Sequence, residues 1–120
     1  MVLTHLSNPT KTLYLQQIQS PMKRGGYTYI LTNLNNTVFY VGCTTSLRGR
    51  IYDHRTKAFS NSFTAKYNCD KIVYFEEFST ILEAIEREKQ IKSGSRTDKI
   101  KLIEKDNPLY LDLWEEIQDL

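Results

Sequence analysis

Glu88 occupies a position where its helix calls for an apolar side chain. Residues 80–92 read as a helix. Thr80 and Glu83 form a capping-box pattern, and Ile81, Ala84, Ile85 and Ile91 recur on one stripe at helical spacing. Glu88 falls on that stripe, seven positions after Ile81 and three after Ile85, whereas Glu83, Glu86, Lys89 and Lys92 reach water. A carboxylate turned toward a core is costly unless a cation or a hydrogen-bond donor meets it. Such a residue either snorkels to solvent from the edge of its stripe or serves a site.

Two tyrosines and two basic residues upstream favour a site. Residues 27–32 and 37–41 are rich in β-branched and aromatic side chains, with the polar turn Asn33-Leu34-Asn35-Asn36 between them, which predicts a hairpin. A turn centred between Leu34 and Asn35 sets Tyr29 opposite Tyr40, so both phenols project from one face of the sheet. Gly42 is then expected to end the second strand in a tight turn. In the next helix, residues 46–55, Leu47, Arg50, Ile51 and His54 follow i, i+3, i+4, i+7 spacing, so Arg50 and His54 share the apolar face. A lone histidine there is commonly a hydrogen-bonded core residue. An arginine there needs an anionic partner, and a phosphate suits its planar fork.

In this order and at these separations the residues resemble the GIY-YIG nuclease family. The first motif stands as Tyr27-Thr28-Tyr29, with its Gly and Ile replaced, and the second as Tyr40-Val41-Gly42. The resemblance covers roughly residues 26–110 and is strongest to small stand-alone bacterial members. Those are similar to the nuclease domain of structure-specific endonucleases acting on branched DNA. It implies an arginine ten residues after the second tyrosine, matched by Arg50, a histidine at His54, and an acidic metal ligand after an arginine, matched by Glu88 behind Arg87. It also implies a functional asparagine late in the domain, for which Asn107 is the counterpart. The tryptophan common after the acidic helix is missing, and Gly94 stands in its place.

Composition bounds the rest. With 120 residues, 40% of them hydrophobic, the chain suits one domain with a modest core: residues 25–120, behind an N-terminal extension 1–24 in which Met22 offers an alternative start. The net charge of +2 hides an asymmetry, because basic residues dominate the first 70 positions and acidic ones the last 50. Arg48, Arg50, Arg55, Lys57 and Lys66, interleaved with Phe59, Phe63 and Tyr67, make a patch suited to a nucleic-acid backbone. The last fifteen residues hold five acids and no Lys or Arg, so DNA should avoid that end. Cys43 and Cys69 stand 26 apart without a CxxC pair, which speaks against zinc and for free thiols in a reducing cytoplasm. No run approaches the length of a membrane span, and the N-terminus lacks a signal-peptide pattern.

Residues 71–76 predict a third strand, Ser95 with Asp98 caps a helix to about Glu104, and Asn107-Pro108 opens a terminal helix burying Leu109, Leu113, Trp114 and Ile117. The expected architecture is α+β: a small three-stranded antiparallel sheet flanked by helices. The expected activity is endonucleolytic hydrolysis of DNA phosphodiesters on branched, nicked or flexible DNA in repair or recombination, with a protein partner supplying specificity. Glu88 would hold one Mg²⁺ or Mn²⁺, Arg50 would meet the phosphate charge, and Tyr29 or Tyr40 would act as base with His54 as its relay. Arg48, Arg55, Lys57, Lys66 and Asn107 would bind the nucleic acid. The alternatives are a non-catalytic nucleic-acid-binding module on the same basic face and a covalent tyrosine nucleophile.

Overall fold

β1 (Gly26–Thr32) takes the centre of the sheet and is buried at every position but Tyr27. The computed structural model describes residues 25–120, and the N-terminal extension and Met22 lie outside them. β2 (Phe39–Thr44) and β3 (Lys71–Phe78) flank β1, both antiparallel to it, in the order β2-β1-β3. Among the described residues the helices are α1 (Leu47–Arg55), the single turn α2 (Phe63–Lys66), α3 (Ile81–Ser93) and α4 (Arg96–Asp106). This is the α+β arrangement expected from the sequence.

The hairpin register differs from the expected one by two residues. Tyr29 pairs with Gly42, and Tyr40 with Leu31. The cause lies in the turn. Asn33 Oδ1 accepts from the backbone N–H groups of Thr37 (2.8 Å) and Val38 (3.2 Å), and Asn36 adopts φ 57°. These bonds draw Thr37 and Val38 into the loop and move the first paired residue to Phe39. Because side chains alternate with period two, a two-residue slip keeps both tyrosines on the same face.

Each face of the sheet receives its own helices. α3 lies on the face of Gly26, Thr28 and Ile30: Thr28 Oγ1 donates to the Ala84 carbonyl at 2.7 Å. A Cβ on Gly26 would sit 2.8 Å from Ile81 Cα, so only glycine lets this helix approach so closely. Ile91 of α3 and Ile103 of α4 join Ile30, Val41 and Val73 in one core. On the opposite face Leu47 and Ile51 of α1 pack with Tyr29, Leu31, Ile72 and Ile117. The capping boxes Thr80–Glu83 and Ser95–Asp98 both form, as their spacing predicts.

The C-terminal segment corrects the sequence reading. No α-helix follows Pro108; residues 107–114 run irregularly to a 3₁₀ turn at Glu115–Ile117. Tyr110 sits at φ 54°, which interrupts a helix. The Asn107 side chain takes the Leu111 backbone at both its N–H and its carbonyl (2.9 Å each) and also donates to Val73 O at 3.0 Å. Ile117 is buried, while Leu109 is 77% exposed rather than part of a core. Asn107 is therefore a buried clamp on the backbone.

Candidate active site

Tyr29, Tyr40, Arg50 and His54 converge on the face that α1 covers. β1 and β2 set the two phenol rings 6.4 Å apart, and α1 brings the His54 ring to 5.9 Å from Tyr29 and 5.6 Å from Tyr40. The Tyr29 hydroxyl lies 3.1 Å from His54 Nε2, and His54 Nδ1 lies 2.8 Å from Thr64 Oγ1. Arg50, on the helical turn before His54, interacts with the Tyr29 phenol and stacks over the Phe59 ring at 5.5 Å.

One assignment of protons gives every group in this chain a partner. With Arg50 offering the Tyr29 oxygen only donors, this assignment has the phenol donating to His54 Nε2 and Nδ1–H donating to Thr64. Burial, reinforced by the neighbouring Tyr40, pushes the Tyr29 pKa well above the usual phenol range, against the pull of Arg50. Burial and the Arg50 charge push the His54 imidazole down to about 4, against the pull of Asp53. The imidazole is thus neutral near pH 7 and able to accept a proton.

That depression carries a stability cost in acid. The ordinary histidine pKa of about 6.5 is lowered in the fold, so the contribution is complete above about pH 6.5 and is lost as pH falls toward 4. At pH 5 the loss is of order 2 kcal/mol. Urea midpoints at pH 7.5 and pH 5, compared between wild type and His54→Gln, isolate it from the carboxylates. The wild type should lose more; equal losses would mean that His54 is not held neutral.

Gly42 serves the site rather than a turn. It lies within β2 opposite Tyr29, and a Cβ there would stand 2.5 Å from the Tyr29 hydroxyl oxygen and 2.6 Å from its ring carbon. The neighbour is a buried ring with no room to swing away. Gly42→Ala should therefore cost about 1–3 kcal/mol, several degrees of Tm for a domain of this size, and pull the phenol from His54. An unshifted Tm in the alanine variant would show that the ring can yield.

Glu88 comes from α3, on the other face of the sheet. It is buried at 8% exposure despite its charge and pairs with Lys92 Nζ at 3.2 Å. The preceding Arg87 is anchored to Glu76 of β3 through its Nε and Nη2 at 3.0–3.2 Å, which holds this part of α3 to the sheet. Among the described residues no three His, Cys, Asp or Glu side chains gather to cage a metal. One buried carboxylate suits a hard cation such as Mg²⁺, which keeps several of its own waters.

The expected nucleic-acid residues divide. Arg55 is engaged by Asp112 (2.7 Å), the Asp70 carbonyl (3.2 Å) and the Trp114 ring (4.9 Å). Arg48 donates to the Gln118 carbonyl at 2.8 Å. The acidic C-terminal segment thus lies against two of the arginines read as DNA ligands. Lys57 pairs with Asp70 at 3.8 Å, and Lys66 lies over the Tyr67 ring at 5.8 Å. Thr64, the partner of His54, escaped the sequence reading; only the short span separating it from the α1 face could have hinted at it.

Residues 25–101 match the GIY-YIG catalytic domain family. The chain belongs to the GIY-YIG family. A UPF0213 protein of Syntrophus aciditrophicus (strain SB) is 33% identical over 82 residues, spanning 68% of this chain and 92% of its own length. Another, from Staphylococcus haemolyticus (strain JCSC1435), is 37% identical over 78 residues, 65% of this chain and 93% of its own. The solution NMR structure of a UPF0213 protein from Bacillus halodurans is 26% identical, with a TM-score of 0.48 over 73% of this chain and 92% of that one. These names state no substrate, metal or reaction. The GIY-YIG domain is a nuclease-type fold, and its nucleases generally depend on a divalent metal. The matched stretch includes Tyr29, Tyr40, Arg50, His54, Thr64 and Glu88. No helix among the described residues is long and apolar enough to cross a membrane.

Proposed function

We propose that this protein is a metal-dependent endonuclease that hydrolyses phosphodiesters of branched, nicked or flexible DNA. The observation that carries the reading is the convergence of Tyr29, Tyr40, Arg50 and His54 on one hydrogen-bonded centre within a nuclease-family domain. Tyr40 is only part-buried, whereas Tyr29 is 1% exposed. Tyr40 is thus the phenol that a water and a phosphate can reach, and in its deprotonated phenolate form it takes the proton from the attacking water. Tyr29, His54 and Thr64 fix the ring geometry around it. Arg50 meets the charge growing on the phosphate oxygens. Glu88 would hold the divalent cation, Mg²⁺ or Mn²⁺, which would supply positive charge to offset the negative charge developing in the reaction.

The catalytic unit is residues 25–120, with residues 1–24 as an extension, acting in the cytoplasm with a protein partner supplying specificity. Arg48, Arg50, Lys57 and Lys66 make backbone contacts. The small basic face predicts weak, salt-sensitive binding to DNA that can bend into the site. Nicking of supercoiled plasmid in Mg²⁺ or Mn²⁺, silenced by chelator, tests the reading. Binding without nicking in any metal would leave a nucleic-acid-binding module instead. A protein–DNA adduct surviving denaturation would mean a covalent tyrosine.

Arg50→Lys separates shape from charge. Lysine keeps the cation but loses the two-pronged grip on phosphate. The loss of one such transition-state contact costs about 3–4 kcal/mol, or two to three orders of magnitude in rate. Single-turnover cleavage near the wild-type rate in the lysine variant would reduce Arg50 to a generic positive charge.

A further inference from the structure

Beside Tyr40 the surface carries aromatic rings for which the hydrolytic chemistry has no use. Thr64 ties the single turn α2 to His54, and this fixes its neighbours in space. Phe63 stacks on Tyr40 with centroids 6.2 Å apart and planes 28° apart, and Tyr67 abuts Phe63 at 4.7 Å. The series therefore starts at the proposed catalytic phenol and runs outward. Phe63 is 46% exposed and Tyr67 44%. Contiguous apolar surface left in water marks an interaction site more often than a packing failure.

The charge around these rings selects the partner. Lys66 lies over Tyr67 at 5.8 Å, and Arg50 lies at the inner end of the series beside Tyr29. An apolar protein face would gain little from cations set among the rings. A polyanion whose repeating unit carries a flat π-system uses both. A duplex hides its base faces in the stack and offers only phosphates here. An unpaired strand offers bases to the rings and phosphates to the cations.

We infer that Phe63 and Tyr67 form a stacking platform for unpaired bases of a single-stranded nucleic-acid segment that reaches the site past Tyr40. The inference rests on the hydrolase reading for the position of the cut phosphate and makes the substrate one with a single-stranded stretch next to that phosphate. The stacking contact itself needs no chemistry, so it is measured without any.

The experiment is fluorescence anisotropy in EDTA at fixed ionic strength. The probes are an oligo-deoxythymidylate of about 12 nucleotides, within the range of site sizes for such grooves, and an abasic strand of equal length and phosphate count. Wild type should bind the thymidylate strand about 5- to 100-fold more tightly than the abasic one, from base–ring stacking alone. Phe63→Leu and Tyr67→Leu should each lose much of that ratio while keeping the salt slope, since no charge is removed. Equal wild-type affinity for the two strands overturns the inference, and this arm needs no variant to fold. A double variant that melts normally yet keeps the full ratio overturns it too. Lack of cleavage in metal would sink the hydrolase reading and leave this ratio standing, whereas equal affinities in EDTA would sink the platform and leave cleavage standing.

Discussion

Glu88→Gln should abolish metal-dependent cleavage and leave DNA binding largely intact. The substitution keeps the shape of a side chain that is 8% exposed on α3 and removes only its charge. A neutral amide is a far weaker ligand for a hard cation, and the charge stabilisation lost with the cation amounts to several kcal/mol, roughly a thousand-fold or more in rate. The fold should not suffer. The ion pair with Lys92 has one half-exposed partner and is worth about 0–1 kcal/mol. Cleavage retained in a folded Glu88→Gln, or binding lost in step with cleavage, would remove Glu88 from the role of metal ligand.

Tyr40→Phe and Tyr29→Phe should fail in different ways. Both keep the ring and lose the hydroxyl. General-base catalysis contributes about 10²–10⁴-fold, and Tyr40→Phe should slow single-turnover cleavage by that order at an unchanged Tm. The Tyr29 hydroxyl is bonded to His54 within the core. Its removal leaves a buried acceptor unmet, at about 1–3 kcal/mol, so Tyr29→Phe should lower Tm as well as rate. If Tyr40→Phe cleaves within tenfold of wild type while Tyr29→Phe collapses in rate alone, the proton is taken by Tyr29. If neither slows tenfold, no tyrosine is the base.

What the sequence disclosed is what local physics determines. Thr80 with Glu83 and Ser95 with Asp98 lie within one helical turn, so their caps are legible by spacing and form as read. The stripe that buries Glu88 and the shared face of Arg50 and His54 follow from helical periodicity alone. The hairpin shows the limit. Alternation put Tyr29 and Tyr40 on one face, but the exact partner depended on how far the Asn33 amide reached into the following residues. Gly42 looked like a turn residue because nothing in the sequence reveals that Tyr29 leans across it.

The C-terminal segment misled because apolar spacing at Leu109, Leu113 and Ile117 mimics a helix, while the Asn107 clamp and the left-handed Tyr110 override it. Long-range partners were invisible for a related reason. Arg48 meets Gln118 and Arg55 meets Asp112 across 70 and 57 positions, so the arginines read as DNA ligands also tie down the far end of the chain.

The most direct test of the hydrolase is single-turnover cleavage by the wild-type protein of matched linear, flap and four-way-junction DNAs, with Mg²⁺, with Mn²⁺ and with EDTA. Cleavage in either metal, absent in EDTA and fastest on the flap or the junction, is the predicted result. Intact DNA in every metal at protein concentrations that saturate binding would contradict it, as would equal cleavage in EDTA.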